Sequence, residues 1–216
     1  MRTGNDTLTL LQRGWVFRLR LPENPVRTVI MLHGWTGDET SMEIFSRVLP
    51  QDSLILYPRA PLPARPSGFG WVEPLDEVWP PMHRFKSVCQ NLVSRIDSLL
   101  NEMGLSPSHR WNIAGFSQGG AMGYALGFYF SDRLEKIAIL SGYFPEPDSQ
   151  QPPPDLSGLS FFIAHGSRDE TVPSEQAIRG LTWVKRAGAQ VRFCESPVGH
   201  RVSADCMKKF QEFITS

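Results

Sequence analysis

Gly115-Phe116-Ser117-Gln118-Gly119 places a serine in a pentapeptide with glycine two positions to either side. A serine hydroxyl attacks a carbonyl only when a base, usually an oriented histidine, takes its proton. A strand that reverses into a helix within one residue lifts such a serine above the strand end in a strained conformation. Side chains two positions away would then collide, so glycine is required at 115 and 119. Free amides and the dipole at the helix start favour a developing negative charge beside it. The plainer alternative is a serine N-cap in a glycine-rich turn that packs a helix on a sheet. A strand before the motif and a helix after it favour the catalytic reading.

A nucleophile on this kind of turn expects its acid and then its base downstream, each after a later strand. Leu159 to Ala164 leads into His165-Gly166-Ser167-Arg168-Asp169-Glu170, and Asp169 is the acid chosen. Glu170 is its nearest rival, and an aspartate capping a helix near Ser174 is the bland alternative. Ala189 to Glu195 leads into Ser196-Pro197-Val198-Gly199-His200, and His200 is the sole histidine after Asp169. A helix-entry histidine bonded to backbone is its alternative, weakened by the presence of Ser117 and Asp169. His33 and His165 are expected to hold the turns after their strands, and His83 and His109 to lie in solvated loops. The charge that develops on the carbonyl oxygen needs two backbone donors. The amide of Gln118 is one, and that of Trp35, after His33-Gly34, is the other. Phe69, Trp71, Trp79 and Met82 are candidate walls for an acyl or aryl group, with packing that rigidifies a long loop as the equal alternative, and Trp71 is the preferred substrate contact.

These residues need a scaffold, and the chain alternates buried strands with helices. Strands are expected at Arg27 to Leu32, Ser53 to Tyr57, Trp111 to Phe116, Lys136 to Leu140, Leu159 to Ala164 and Ala189 to Glu195. Helical spacing runs through Phe85 to Met103, Gly119 to Tyr129, Ser174 to Arg186 and Val202 to Ile214. Thr40-Ser41-Met42-Glu43 fits a capping box, which predicts a helix from there to about Leu49. Leu8 to Leu11 and Trp15 to Arg20 read as an antiparallel edge hairpin. Arg59 to Pro81, rich in Pro, Gly and Trp, reads as an irregular loop. Strands of continuous apolar character imply a mostly parallel sheet covered on both faces, an α/β fold with residues 1–216 in a single domain. The proline-rich connection Ser141 to Gly158 is too short for a helical cap, so the site should be open.

A chain of 216 residues fits one core, and a hydrophobic fraction of 41% is ordinary for a globular protein. Twenty-two basic residues balance twenty-two acidic ones, so no field of one sign selects nucleic acid or an anionic membrane as partner. Asn5, Asp6, Gln12 and Arg13 interrupt any signal-like apolar stretch in Met1 to Phe17. Cys89, Cys194 and Cys206 are too few and scattered for a disulfide framework or a zinc site. They are expected to be buried thiols in a reducing compartment, which places the protein in the cytoplasm. No glycine pattern suggests a nucleotide cofactor and no histidine cluster a metal.

With these segments assembled, the chain resembles the phospholipase/carboxylesterase family of small serine esterases, which includes the acyl-protein thioesterases. The matching stretches are His33-Gly34-Trp35-Thr36-Gly37-Asp38, Pro58-Arg59-Ala60-Pro61, Gly115 to Gly120, His165 to Asp169 with Val172-Pro173, and Gly199-His200. The resemblance implies an α/β-hydrolase fold with Ser117, Asp169 and His200 as triad and Trp35 and Gln118 as amide donors. It implies acyl transfer from a small-molecule carboxylic ester, with thioesters and lysophospholipids as related substrates and no cofactor. Trp35 stands where the family often has a smaller aliphatic residue, and Pro61 to Pro81 departs from the lipid-handling thioesterases. The competing readings are a ligand-binding module on a hydrolase scaffold and a dienelactone-hydrolase-like enzyme. The latter typically uses cysteine where this chain has Ser117.

Overall fold

The computed structural model describes residues 7–76, 78–105, 110–148 and 152–216. Its frame is an eight-stranded sheet. β1 (Thr7–Gln12) and β2 (Trp15–Arg20) form an antiparallel hairpin, turned by Arg13 and Gly14 at φ 46° and 84°. Two successive residues at positive φ suit the right-handed twist of paired strands. β2 then pairs antiparallel with β4 (Ser53–Pro58). From there every pairing is parallel: β4 to β3 (Arg27–Leu32), β3 to β7 (Trp111–Phe116), then β8 (Leu134–Leu140), β9 (Ser160–Gly166) and β10 (Gln190–Ser196).

Alternation along these strands divides the core in two, because successive side chains point to opposite faces. Ile30, Leu32, Leu54, Leu56, Ile113, Ile137 and Ile163 pack beneath α2 (Lys86–Glu102), α3 (Gln118–Tyr129) and α4 (Ser174–Arg186). Val29, Met31, Ile55, Ala114, Ala138 and Phe162 face Phe210 and Phe213 of α5 (Ala204–Thr215) instead. Both faces are thus covered, which is why the central strands carry apolar residues without interruption. Among the described residues no helix is long and apolar enough to cross a membrane. The described parts of the connection after β8, 141–148 and 152–158, contain no helix.

Three expectations need correction. The segment expected as a capped helix from Thr40 forms only one turn, α1 (Glu43–Ser46), with no side-chain cap at Met42. The Asp38 carboxylate captures the donors first: Oδ1 accepts from Thr40 N–H at 2.9 Å, Ser41 N–H at 3.1 Å and Thr40 Oγ1 at 2.7 Å. A local turn has outcompeted the cap. The loop expected to be irregular from Arg59 to Pro81 contains a short ladder, β5 (Leu62–Pro63) against β6 (Phe69–Gly70). Finally, Cys194 and Cys206 are not free thiols but are joined in a disulfide. Their count argued against pairing, yet the strand–loop–helix between them returns the chain on itself and brings their Cα atoms to 5.8 Å. Cys89 alone remains a free thiol, and burial raises its pKa.

The bond joins β10 to the first turn of α5 and closes a loop between residues 12 apart. Opening a loop of that size in the unfolded chain should cost about 3 kcal/mol of stability. Urea unfolding with and without dithiothreitol measures this; coincident curves, with both thiols shown to be reduced, would contradict it.

Candidate functional site

Ser117 lies between the end of β7 and the start of α3, at φ 54° and ψ −116°. A non-glycine residue there costs about 1–3 kcal/mol and needs surrounding structure to hold it. The Ser117 N–H donates to Leu140 O at 2.9 Å, and Ser117 O accepts from Gly120 N–H at 2.9 Å. A Cβ added to Gly115 would lie 2.0 Å from Gly119 O, and one added to Gly119 would lie 2.0 Å from Leu32 O. The two glycines therefore permit the reversal and also let α3 press its first turn against the end of β3.

Asp169 sits in the loop after β9 with its side chain out of solvent. Its Oδ1 accepts from the N–H groups of Thr171 and Val172, each at 2.9 Å, and Oδ2 lies 2.7 Å from His200 Nδ1. The carboxylate can only accept, so His200 donates through Nδ1 and keeps Nε2 for another partner. Glu170, the rival acid, is exposed. His200 follows β10 on a loop tied to the Asp169 loop by Ser167 N–H to Ser196 O at 2.8 Å and Arg168 N–H to Val198 O at 3.0 Å. Ser196 Oγ and Ser203 Oγ, 2.8 Å apart, and the Cys194–Cys206 bond bracket the same loop. The His200 ring lies 4.9 Å from that of Phe116, which is bonded to Ser117. Serine, histidine and aspartate thus stand on three neighbouring loops at the carboxyl end of the sheet.

The segment after β3 forms a turn in which Gly37 N–H donates to Gly34 O at 3.1 Å, with Thr36 at φ 68°. A Cβ on Gly34 would lie 3.2 Å from the Cβ of Ser117, so this turn abuts the serine. Among the described residues neither the Trp35 nor the Gln118 amide donates to a protein acceptor. The Gln118 N–H is unused because it opens a helix. Arg59 grips Glu39, next to the turn, with two hydrogen bonds of 2.6 and 2.5 Å, and its guanidinium lies 4.7 Å from the centre of the Phe69 ring.

His33 and His165 hold turns, as expected. His33 is fully buried; its Nδ1–H donates to Gly34 O at 2.7 Å and its Nε2 accepts from Ala60 N–H at 3.0 Å. Burial lowers its pKa, which keeps the ring neutral and Nε2 an acceptor. His165 Nε2 donates to Val172 O at 2.8 Å and lies 3.6 Å from Asp169 Oδ2. His83 is exposed on the 3₁₀ turn Met82–Phe85 rather than in a loop, and His109 lies outside the described residues. Trp71 is corrected: it is 1% exposed, so it is no open wall, and its indole N–H donates to His33 O at 2.8 Å. Met82 is buried as well, whereas Trp79 is 37% exposed and stacks on Tyr143 at 4.5 Å.

Sequence reasoning missed the amides of Thr171 and Val172 that fix Asp169. The signal was available, since an aspartate ahead of Thr-Val-Pro often bonds the backbone two and three residues on. It also missed Phe116 as the surface against which His200 packs. Cys194, Asp205 and Cys206 place ligand atoms within 4.8 Å of one another. The two sulfurs are spent on their mutual bond, which removes the thiolates a metal would need.

A profile of the phospholipase/carboxylesterase family matches residues 20–216. The chain is 30% identical over 120 residues to acyl-protein thioesterase 1 of Neurospora crassa, covering 50% of this chain and 46% of that protein. It is 30% identical over 128 residues to the carboxylesterase SOBER1 of Arabidopsis thaliana, covering 58% and 55%. The chain thus matches about half the length of these curated relatives. Among solved structures, a carboxylesterase from Mesorhizobium loti superposes with a TM-score of 0.85 at 20% identity, covering 97% of this chain and 99% of that one. That likeness establishes the α/β-hydrolase architecture. With a family profile spanning nearly all of it, the chain belongs to the phospholipase/carboxylesterase family.

Proposed function

We propose that this chain is a serine hydrolase of small-molecule carboxylic esters, acting through an acyl-enzyme on Ser117 and working as a single domain over residues 1–216. The observation that carries the reading is the 2.7 Å contact of His200 Nδ1 with buried Asp169, on a ring packed against Phe116, whose next residue is a serine at φ 54°. A structural serine would have no need of that strain, and a structural histidine would have no need of a buried carboxylate. Relatives named as a carboxylesterase and an acyl-protein thioesterase support the same chemistry and make acyl thioesters the nearest alternative substrates.

The reaction balances in two steps. Ser117 Oγ bonds to the carbonyl carbon while its proton passes to His200 Nε2, and the carbonyl electron pair moves onto oxygen. The amides of Trp35 and Gln118 receive that charge. His200 returns the proton to the departing alcohol or thiol as the carbon–oxygen or carbon–sulfur bond breaks. Water then repeats the sequence on the acyl-enzyme and releases the acid. Asp169 holds the imidazole in the required tautomer throughout. None of these steps calls for a metal or a cofactor. With no helix in the described part of 141–158, the site takes its substrate from an open face. The proposed cytoplasmic location has lost the support of free thiols. It requires the Cys194–Cys206 bond, whose two residues are buried, to persist against cytosolic thiols.

Initial rates on nitrophenyl esters of increasing acyl length test the reading. Ser117→Ala should cut kcat by a factor on the order of 10⁴ to 10⁶ while the melting temperature holds. A variant of native activity would refute the assignment. Asp169→Asn should lower kcat by roughly 10⁴, through the wrong imidazole tautomer.

A further inference from the structure

The two candidate oxyanion donors belong to separate elements. Trp35 follows β3 and Gln118 opens α3, with more than eighty residues of chain between them. Their amides must nevertheless converge on one oxygen, to within about 0.5 Å of the productive geometry. The segment Gly68 to Val72 runs across both. Phe69 N–H donates to Gly37 O at 2.8 Å, and the Trp35 indole rests on Gly70, where a Cβ would lie 2.0 Å from the ring. Trp71 N–H donates to Gln118 Oε1 at 2.7 Å, and Gln118 Nε2 donates to Val72 O at 2.8 Å. The Trp71 indole donates to His33 O at 2.8 Å, and its ring centre is 5.2 Å from that of His33.

We propose that Trp71 is a positioning residue that sets the spacing of the two oxyanion donors, holding Gln118 through its backbone and the Trp35 turn through its indole. The proposal rests on the acyl-enzyme reading above. His33, Trp71 and Gln118 are 0%, 1% and 3% exposed, so water cannot replace a lost bond. Without the indole N–H, the carbonyl of His33 is left buried with that bond unmade. His33 passes the constraint on, since Nδ1–H binds Gly34 O and Nε2 receives Ala60 N–H. An oxyanion exists in the transition state and not in the bound ester. A change in donor spacing should therefore lower kcat and leave KM alone.

Trp71→Phe keeps an aromatic ring and removes the indole donor. Its kcat should fall about tenfold or more, short of the 10²- to 10³-fold for a deleted donor, with KM within about twofold of native. Inhibition by an aryl trifluoromethyl ketone reads the hole directly. Ser117 Oγ adds to the carbonyl carbon, the hydroxyl proton passes to His200, and the carbonyl electron pair becomes an oxyanion. Its Ki should rise in step with the fall in kcat. Trp111→Phe, a buried tryptophan at the other end of β7, should lower the melting temperature with kcat and Ki unchanged. Native kcat and Ki in Trp71→Phe, or losses that track thermal stability alone, would overturn the proposal. Should Trp71→Phe not fold, Gln118→Glu keeps the acceptor for Trp71 N–H and loses the donor to Val72 O. It should show the same split, and native kcat in that variant overturns the proposal too. Absence of Ser117-dependent turnover in the unaltered chain would instead overturn the hydrolase reading, and this proposal with it.

Discussion

Between Gly119 and the carbonyl of Leu32 there is no room for one more carbon, since a Cβ would stand 2.0 Å from the oxygen. That close approach locks the first turn of α3 to the end of β3. It fixes where Ser117 stands, which way the unused amide of Gln118 points and how near the turn around Trp35 can come. The strained φ of Ser117 follows from the same contact, because the chain must leave β7 and enter α3 within a single residue. The parallel order β3, β7, β8, β9, β10 then delivers the loops bearing Asp169 and His200 to the same end. Relaxing the Gly119 contact would free the first turn of α3 from β3, and with it the position of Ser117 beside the turn around Trp35.

The scaffold was legible because its strongest signals are local and repeated. Trp111 to Phe116, Arg27 to Leu32 and Ser174 to Arg186 were bounded correctly, since a buried parallel strand needs an unbroken apolar run and a two-face helix needs its period. The proposed triad was legible for a different reason. Its members occupy strand ends in a fixed order, and only one histidine lies after Asp169.

What escaped the sequence depends on competition or on return of the chain through space. Thr40 looked like a helix cap, but its own N–H and hydroxyl both donate to Asp38, two residues earlier. Three cysteines looked too few and too scattered for a disulfide framework, yet a strand and a helix packed on one sheet face bring Cys194 and Cys206 together around the His200 loop. Trp71 was placed among the substrate walls because an aromatic residue in a glycine-rich loop can be one. Its environment depends on His33 and Gln118, which are 38 and 47 residues away in sequence. Sequence pattern identifies residues that could do chemistry, and it is silent on which of them are held from behind.

The central claim is that Ser117 takes the acyl group, and the mass of the trapped intermediate tests it most directly. The protein is mixed with a nitrophenyl ester, quenched in acid within the first turnover, digested and weighed peptide by peptide. The account predicts one acyl adduct, on the peptide containing Ser117, absent from Ser117→Ala. An adduct on another residue, or prompt nitrophenol release with no adduct at any quench time and a matching rate in Ser117→Ala, would contradict it.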